Sequence, residues 1–197
     1  FATESQWYDN HFSCSNGTRT SIFGLFFSVP GHYWESFVPS HVSPVFIDEL
    51  LAEGYQLRIH GSATLVDPPF ASAIFQRVPH LQISTPGATT YDRDRRITTD
   101  FIRELPTLKQ KAPFFAFLFY DLAHSFEYPK RLPKKFTPSW DYADYTRLSN
   151  DTDPTPFFNL YRNCCWQIDR MIGEVIAQLK QEGLYDNTII VVSGDHA

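Results

Sequence analysis

Asp195 and His196 follow the apolar run Ile189-Ile190-Val191-Val192 after a Ser-Gly step. A carboxylate and an imidazole side by side offer an oxygen and a nitrogen to a divalent metal ion. Without that chemistry they are a polar turn after a core strand. Thr18 is the candidate to work with them. It lies next to Arg19 at the start of a helical segment, behind the small polar run from Ser13 to Gly17. A hydroxyl there faces unpaired N–H groups and the positive end of a helix dipole, a setting that suits phosphate or sulfate. A nearby metal ion would lower the hydroxyl's pKa and make it a nucleophile. Ser15, Thr20 and Ser21 are rival hydroxyls, and plain capping is the rival role. The Asn16-Gly17-Thr18 triplet also matches a short glycosylation acceptor. Arg19 is a candidate anion ligand, because a guanidinium pairs with two oxygens at once. His124, in Tyr120-Asp121-Leu122-Ala123-His124-Ser125, has the chemistry to protonate a leaving group or hold a substrate oxygen, with a solvated loop histidine as the alternative. His60 is a weaker candidate. His11, His32, His41 and His80 read as surface or structural.

The elements that must position these groups can be read from periodicity. Four successive β-branched residues, 189–192, predict a strand covered on both faces of a parallel sheet. Ligands of such sheets bind outside the carboxyl ends of the strands. Residues 18–27 predict a helix ended by Pro30-Gly31. A second helix has Ser43 as N-cap and Pro44 in its first turn, and stops at Gly54. A short strand over 55–59 leads into His60-Gly61-Ser62. Residues 63–90 read as surface loops with a short helix over 71–77. A helix is expected over 92–105 and a strand over 114–120. Residues 125–156, rich in proline and aromatics, read as a long irregular excursion. The clearest helix spans 157–182, with Leu160, Cys164, Ile168, Met171, Ile172, Val175 and Leu179 on one face and Gly183 closing it. Alternating helix and strand implies right-handed crossovers and a parallel sheet. Three strand ends, bearing His60, His124 and Asp195/His196, are then expected to converge on one edge.

Composition sets bounds on these readings. A chain of 197 residues is one α/β domain or a large piece of one. Net charge is −5 with no large Lys/Arg cluster, which argues against a nucleic-acid partner. No apolar run approaches the roughly 18 residues of a membrane-spanning helix, and Phe1-Ala2-Thr3-Glu4-Ser5 lacks the basic start of a signal peptide. Cys14, Cys164 and Cys165 form neither a disulfide framework nor a CxxC zinc site, and read as buried free thiols. The chain starts on an aromatic residue and stops one residue after a candidate ligand, so a piece of a longer protein is expected.

On these residues the chain resembles the alkaline phosphatase superfamily, in its sulfatase-like branch. The segments Ile168-Asp169-Arg170-Met171-Ile172-Gly173 and Leu184-Tyr185-Asp186-Asn187-Thr188 through Asp195-His196 are similar to the family's long helix and the strand that ends in Asp-His. Phe114-Phe115-Ala116-Phe117-Leu118, then His124 and Pro129, are similar to its central strand and substrate-site histidine. Within the branch, His11-Phe12-Ser13, Asn16-Gly17-Thr18-Arg19, Ile22-Phe23-Gly24-Leu25-Phe26, Gly54-Tyr55-Gln56-Leu57 and Phe70-Ala71-Ser72 resemble YejM/PbgA-type proteins, which join a membrane domain to a periplasmic sulfatase-like domain. Lipoteichoic-acid synthases and phosphoethanolamine transferases are further relatives.

The resemblance implies an α/β sandwich with a mostly parallel central sheet, present over 1–197 as a partial domain lacking its first strand and C-terminal part. It implies a metal-dependent hydrolase or transferase of phosphate or sulfate esters. Thr18 falls on the nucleophile, with Ser15 the alternative if the register slips by three. True sulfatases carry a formylglycine-forming cysteine there, and Cys14 does not fit that pattern. Asp195 and His196 fall on two ligands of a divalent ion (Mn, Mg, Zn or Ca), with Thr18 as a further donor. Arg19 and His124 fall beside the group transferred or leaving. The family's first metal ligand would lie upstream of Phe1, and Ala197 stands where glycine is usual. The implied substrate is an ester, with a lipid or glycolipid in view. The implied setting is the periplasmic face of an inner membrane, anchored by a segment outside this chain. The alternative is a non-catalytic, lipid-binding regulatory domain with a degenerate site.

Overall fold

Phe-Phe-Ala-Phe-Leu-Phe is an apolar hexapeptide with aromatic residues on both faces, and it forms strand β2 (Phe114–Phe119). It pairs in parallel with β1 (Gln56–Gly61), Gln56 opposite Phe114 and Gly61 opposite Phe119. The computed structural model describes residues 2–110 and 112–196, and Ala197 lies outside them. Among those residues the helices are α1 (Thr18–Phe27), α2 (Trp34–Phe37), α3 (Val45–Ala52), α4 (Phe70–Ala73), α5 (Thr90–Leu108), α6 (Leu122–Ser125) and α7 (Thr155–Gln181).

Successive side chains of a strand point to opposite faces, and β2 divides its residues accordingly. Phe115, Phe117 and Phe119 pack on a cluster built from α1, α3, α4 and their connections, including Phe23, Phe26, Ile47 and Phe75. Phe26 meets the rings of Phe75 and Phe117 edge-on at 5.0 and 5.2 Å. Phe114, Ala116 and Leu118 pack on Phe101, Leu105 and Leu108 of α5 and on Leu179 of α7. The result is a layered α/β arrangement, with the parallel pair between helices on both faces. No helix among the described residues is long and apolar enough to cross a membrane.

Helix α5 begins at Thr90 because Thr89 and Asp92 form a reciprocal capping box, which the expected start at 92 overlooked. Helix α3 begins at Val45 with Pro44 as its N-cap residue, so Ser43 is not the cap. The helix expected over 71–77 is the single turn α4. Helix α7 buries Leu160, Cys164, Met171, Ile176 and Leu179, and also the amides Asn159, Asn163 and Gln167. These amides bind the irregular excursion. Asn163 Oδ1 accepts the N–H groups of Lys135 and Phe136, both at 2.9 Å, and its Nδ2 donates to Phe136 O. Asn159 donates to Pro138 O, and Gln167 to the Tyr128 hydroxyl. Of the three thiols Cys164 is buried, whereas Cys14 is exposed, contrary to expectation.

The buried strand expected over 189–192 does not form. Ile189, Val191 and Val192 are 92%, 79% and 56% exposed, and Ile190 alone packs on the α5–α7 cluster. The chain leaves the turn at Tyr185–Asn187 with extended geometry at Thr188. β-branched residues favour that conformation, but no described strand flanks it to exchange ladder hydrogen bonds.

Candidate active site

Gly17 is the N-cap residue of α1. It is extended and has no side chain with which to cap. The chain before it is held by its own hydroxyls. Ser15 Oγ accepts from Gly17 N–H at 3.0 Å and pairs with the Thr20 hydroxyl, while Ser21 Oγ donates to Ser15 O at 2.9 Å. Cys14 packs on α1 at Gly24, where a β-carbon would collide with its sulfur. The three rival hydroxyls are thus engaged in shaping the loop. Thr18 is the one whose Oγ1 faces a distant residue, 3.1 Å from His196 Nε2.

The C-terminal segment that follows Thr188 brings His196 to that point. Its Nε2 is also 3.7 Å from Asp195 Oδ2, and both side chains are largely covered, at 22% and 23% exposure. Asp195 Oδ2 is buried and has no hydrogen-bond partner among the described residues. A buried carboxylate oxygen left unpaired costs free energy that a cation would recover. The donor types at this point, carboxylate oxygen, imidazole nitrogen and hydroxyl oxygen, fit a divalent ion. Their number does not complete a coordination sphere, since no group of three acidic, histidine or cysteine side chains gathers among the described residues.

Thr18 and Arg19 line an open cleft of about 720 Å³ that also reaches Asp121 and His124. Arg19 is exposed and 3.6 Å from Glu35 across the mouth. His124, on the single turn α6 after β2, is 71% exposed, with Nδ1 3.7 Å from Asp121 Oδ1. His60 does not join them. It lies inside β1 with its ring turned to α5, 3.5 Å from Glu104 and edge-on to Phe101. The expected three-way convergence of strand ends therefore reduces to two approaches, the β2 end with α6 and the C-terminal segment, which meet the start of α1.

Asp121 was not singled out in the sequence, and its position three residues before His124 at the carboxyl end of an apolar strand was the available signal. Burial raises its pKa, against the lowering effect of His124 and Arg93, and Asp195 adds a smaller repulsion. Behind it Asp94 of α5 is fully buried. Its Oδ1 accepts from Asp121 N–H and its Oδ2 from Leu122 N–H, both at 3.0 Å. Burial pushes Asp94 up to about 6 in spite of these bonds. Arg93 ties the same corner together. Its Nε donates to Ser62 O just past β1, and its guanidinium reaches within 3.9 Å of Asp121.

The layered α/β fold agrees with the comparison to known families. The Sulfatase family model matches residues 1–197, and the chain belongs to that family. It is 24% identical over 196 residues to an uncharacterized protein of Haemophilus influenzae, covering 100% of this chain and 27% of that protein. It is 23% identical over 193 residues to the inner membrane protein YejM of Salmonella typhimurium, covering 98% of this chain and 28% of YejM. Lipoteichoic acid synthase 1 of Bacillus subtilis is 30% identical over 120 residues, covering 55% of this chain and 17% of the synthase. The chain thus spans little more than a quarter of the length of the first two relatives.

Proposed function

We propose that this chain carries the nucleophile side of a metal-dependent site that hydrolyses or transfers phosphate or sulfate esters. The observation that carries the reading is the Thr18 hydroxyl, at the amino end of α1 and 3.1 Å from His196 Nε2, beside a buried Asp195 carboxylate oxygen that has no hydrogen-bond partner among the described residues. In this reading Asp195 and His196 would hold the ion, and the ion, when bound, supplies the positive charge that favours an ionised hydroxyl and draws in an anionic ester. Thr18 Oγ1 attacks the phosphorus or sulfur, its proton passes to water, and the ester oxygen leaves with a proton from His124. The free N–H groups of the first turn of α1 and the Arg19 guanidinium face the oxygens of the group being transferred. Water or an acceptor alcohol then releases that group from Thr18. One relative is named an inner membrane protein and another a lipoteichoic acid synthase. With these names we associate a lipid or glycolipid ester as substrate and a membrane-anchored, periplasmic setting for the whole protein.

The test is metal content and turnover of phosphodiester and sulfate-ester substrates by the full-length protein, wild type beside Thr18→Ala and Asp195→Ala. Metal-dependent turnover abolished in both variants supports the reading. Loss in Asp195→Ala alone moves the nucleophile to Ser15. Absence of both metal and turnover in the wild type overturns it in favour of a non-catalytic, lipid-binding domain.

A further inference from the structure

The corner that presents His124 contains a carboxylate that is not used where it would ordinarily be spent. Asp121 is the N-cap residue of α6, and an aspartate at that position normally turns its own side chain back onto the helix's first N–H groups. Here it makes no such bond. Asp94, reaching across from α5, takes the N–H groups of Asp121 and Leu122, one on each carboxylate oxygen. Asp94 thus holds the two foremost N–H groups of the turn, and the Asp121 carboxylate, not used as a cap, lines the cleft. There it stands 3.7 Å from Nδ1 of His124 and 3.9 Å from the Arg93 guanidinium. A carboxylate on the Nδ1 side of an imidazole favours a proton on that nitrogen and leaves Nε2 on the far side of the ring, and both residues line the cleft. In other acid–base sites the same arrangement fixes the ring that exchanges a proton with a leaving group.

The geometry points to Asp121 as the positioning residue for His124 in leaving-group protonation, and to Asp94 as the residue that frees Asp121 for it. This rests on the ester-cleaving reading of the site. The proton moves from His124 Nε2 to the departing ester oxygen as its bond to phosphorus or sulfur breaks. The neutral imidazole regains a proton from water. Asp121 stays ionised throughout.

A role of this kind has a signature that general damage does not. An alkyl alkoxide leaves poorly without a proton, whereas a p-nitrophenolate leaves well without one, so only the first depends on a general acid. The experiment compares kcat on an alkyl and a p-nitrophenyl phosphodiester for wild type, Asp121→Asn, Asp94→Asn and Asp94→Glu in the full-length protein, with thermal melts of each. Asp121→Asn is expected to lose roughly 10²-fold on the alkyl ester while staying within a few-fold on the p-nitrophenyl ester. Asp94→Asn is expected to show the same leaving-group bias more weakly, and Asp94→Glu to recover part of it. Equal loss on both esters, or a loss that follows melting temperature alone, would make the corner structural and overturn the proposal. A crystal structure of the Asp94→Asn variant separates this outcome from failure of the ester-cleaving reading. If the wild type turns over neither these phosphodiesters nor the matching sulfate esters, that reading falls and the catalytic part of the proposal falls with it. The release of Asp121 by Asp94 still stands if Asp121 in the variant has swung back onto the Ala123 and His124 N–H groups, and is refuted if it has not moved.

Discussion

The Thr18 hydroxyl is separated from its neighbours by what the others are already bonded to. Ser15 closes a bend on Gly17 N–H and meets Thr20, and Ser21 holds Ser15 O. Sequence position alone left these hydroxyls as rivals, because all four are small polar groups within one turn of a helix start. Ser15→Ala is expected to lower stability by about 1 kcal/mol, the net worth of a hydrogen bond, and to leave turnover within about two-fold. Thr18→Ala is expected to lower turnover by on the order of a thousandfold with little change in stability. Thermal melts and initial rates on the same two variants check both statements, and a Ser15→Ala enzyme that is folded but inactive would reverse the assignment. Asp121 and Asp94 were less legible still. Each is an ordinary aspartate near a helix start in the sequence, and only the tertiary contact between α5 and the end of β2 shows that one caps the other's helix.

Among the elements, the long helices and the two mutually paired strands matched the sequence reading, and the one strand with no neighbour among the described residues did not. Helices α1, α5 and α7 and both strands of the parallel pair lie where their periodicity places them, within a few residues at their ends. The segment 189–192 has a strand's composition but lacks a strand's neighbours, and composition cannot reveal that. Periodicity also hid the polar seam of α7, since Asn159, Asn163 and Gln167 sit among apolar residues and read as tolerated exceptions. They fasten the long excursion that follows His124. Asn163→Ala would leave the N–H groups of Lys135 and Phe136 without an acceptor in a covered site. It is expected to cost about 1–3 kcal/mol and to speed proteolytic cleavage within 130–150 more than elsewhere. Limited proteolysis followed by mass mapping would show it, and uniform cleavage along the chain would contradict it. Thr89→Ala, which removes a capping box from α5, is expected to cost about 1 kcal/mol by the same melts.

At the scale of the molecule, the buried Asp94 makes stability depend on pH in the sense opposite to a salt-bridged carboxylate. Its folded-state pKa of about 6 lies above the ordinary aspartate value of 3.8. Between those values the native state binds more protons than the unfolded state, so this residue's contribution falls as pH rises through that window. It amounts to at most about 3 kcal/mol. Denaturant titrations from pH 4 to pH 7 should show a shallower pH dependence in Asp94→Asn than in the wild type, and identical slopes would place the buried charge elsewhere. The run Ile189-Ile190-Val191-Val192, largely uncovered, has a further consequence. Four β-branched residues with unpaired backbone donors and acceptors are an open template for another strand, and two copies can satisfy each other there. The isolated chain is expected to form strand-paired oligomers at high concentration, visible by light scattering and thioflavin fluorescence. A single lysine in place of Val191 should keep it monomeric, because charge on an exposed edge is the means by which proteins prevent such pairing.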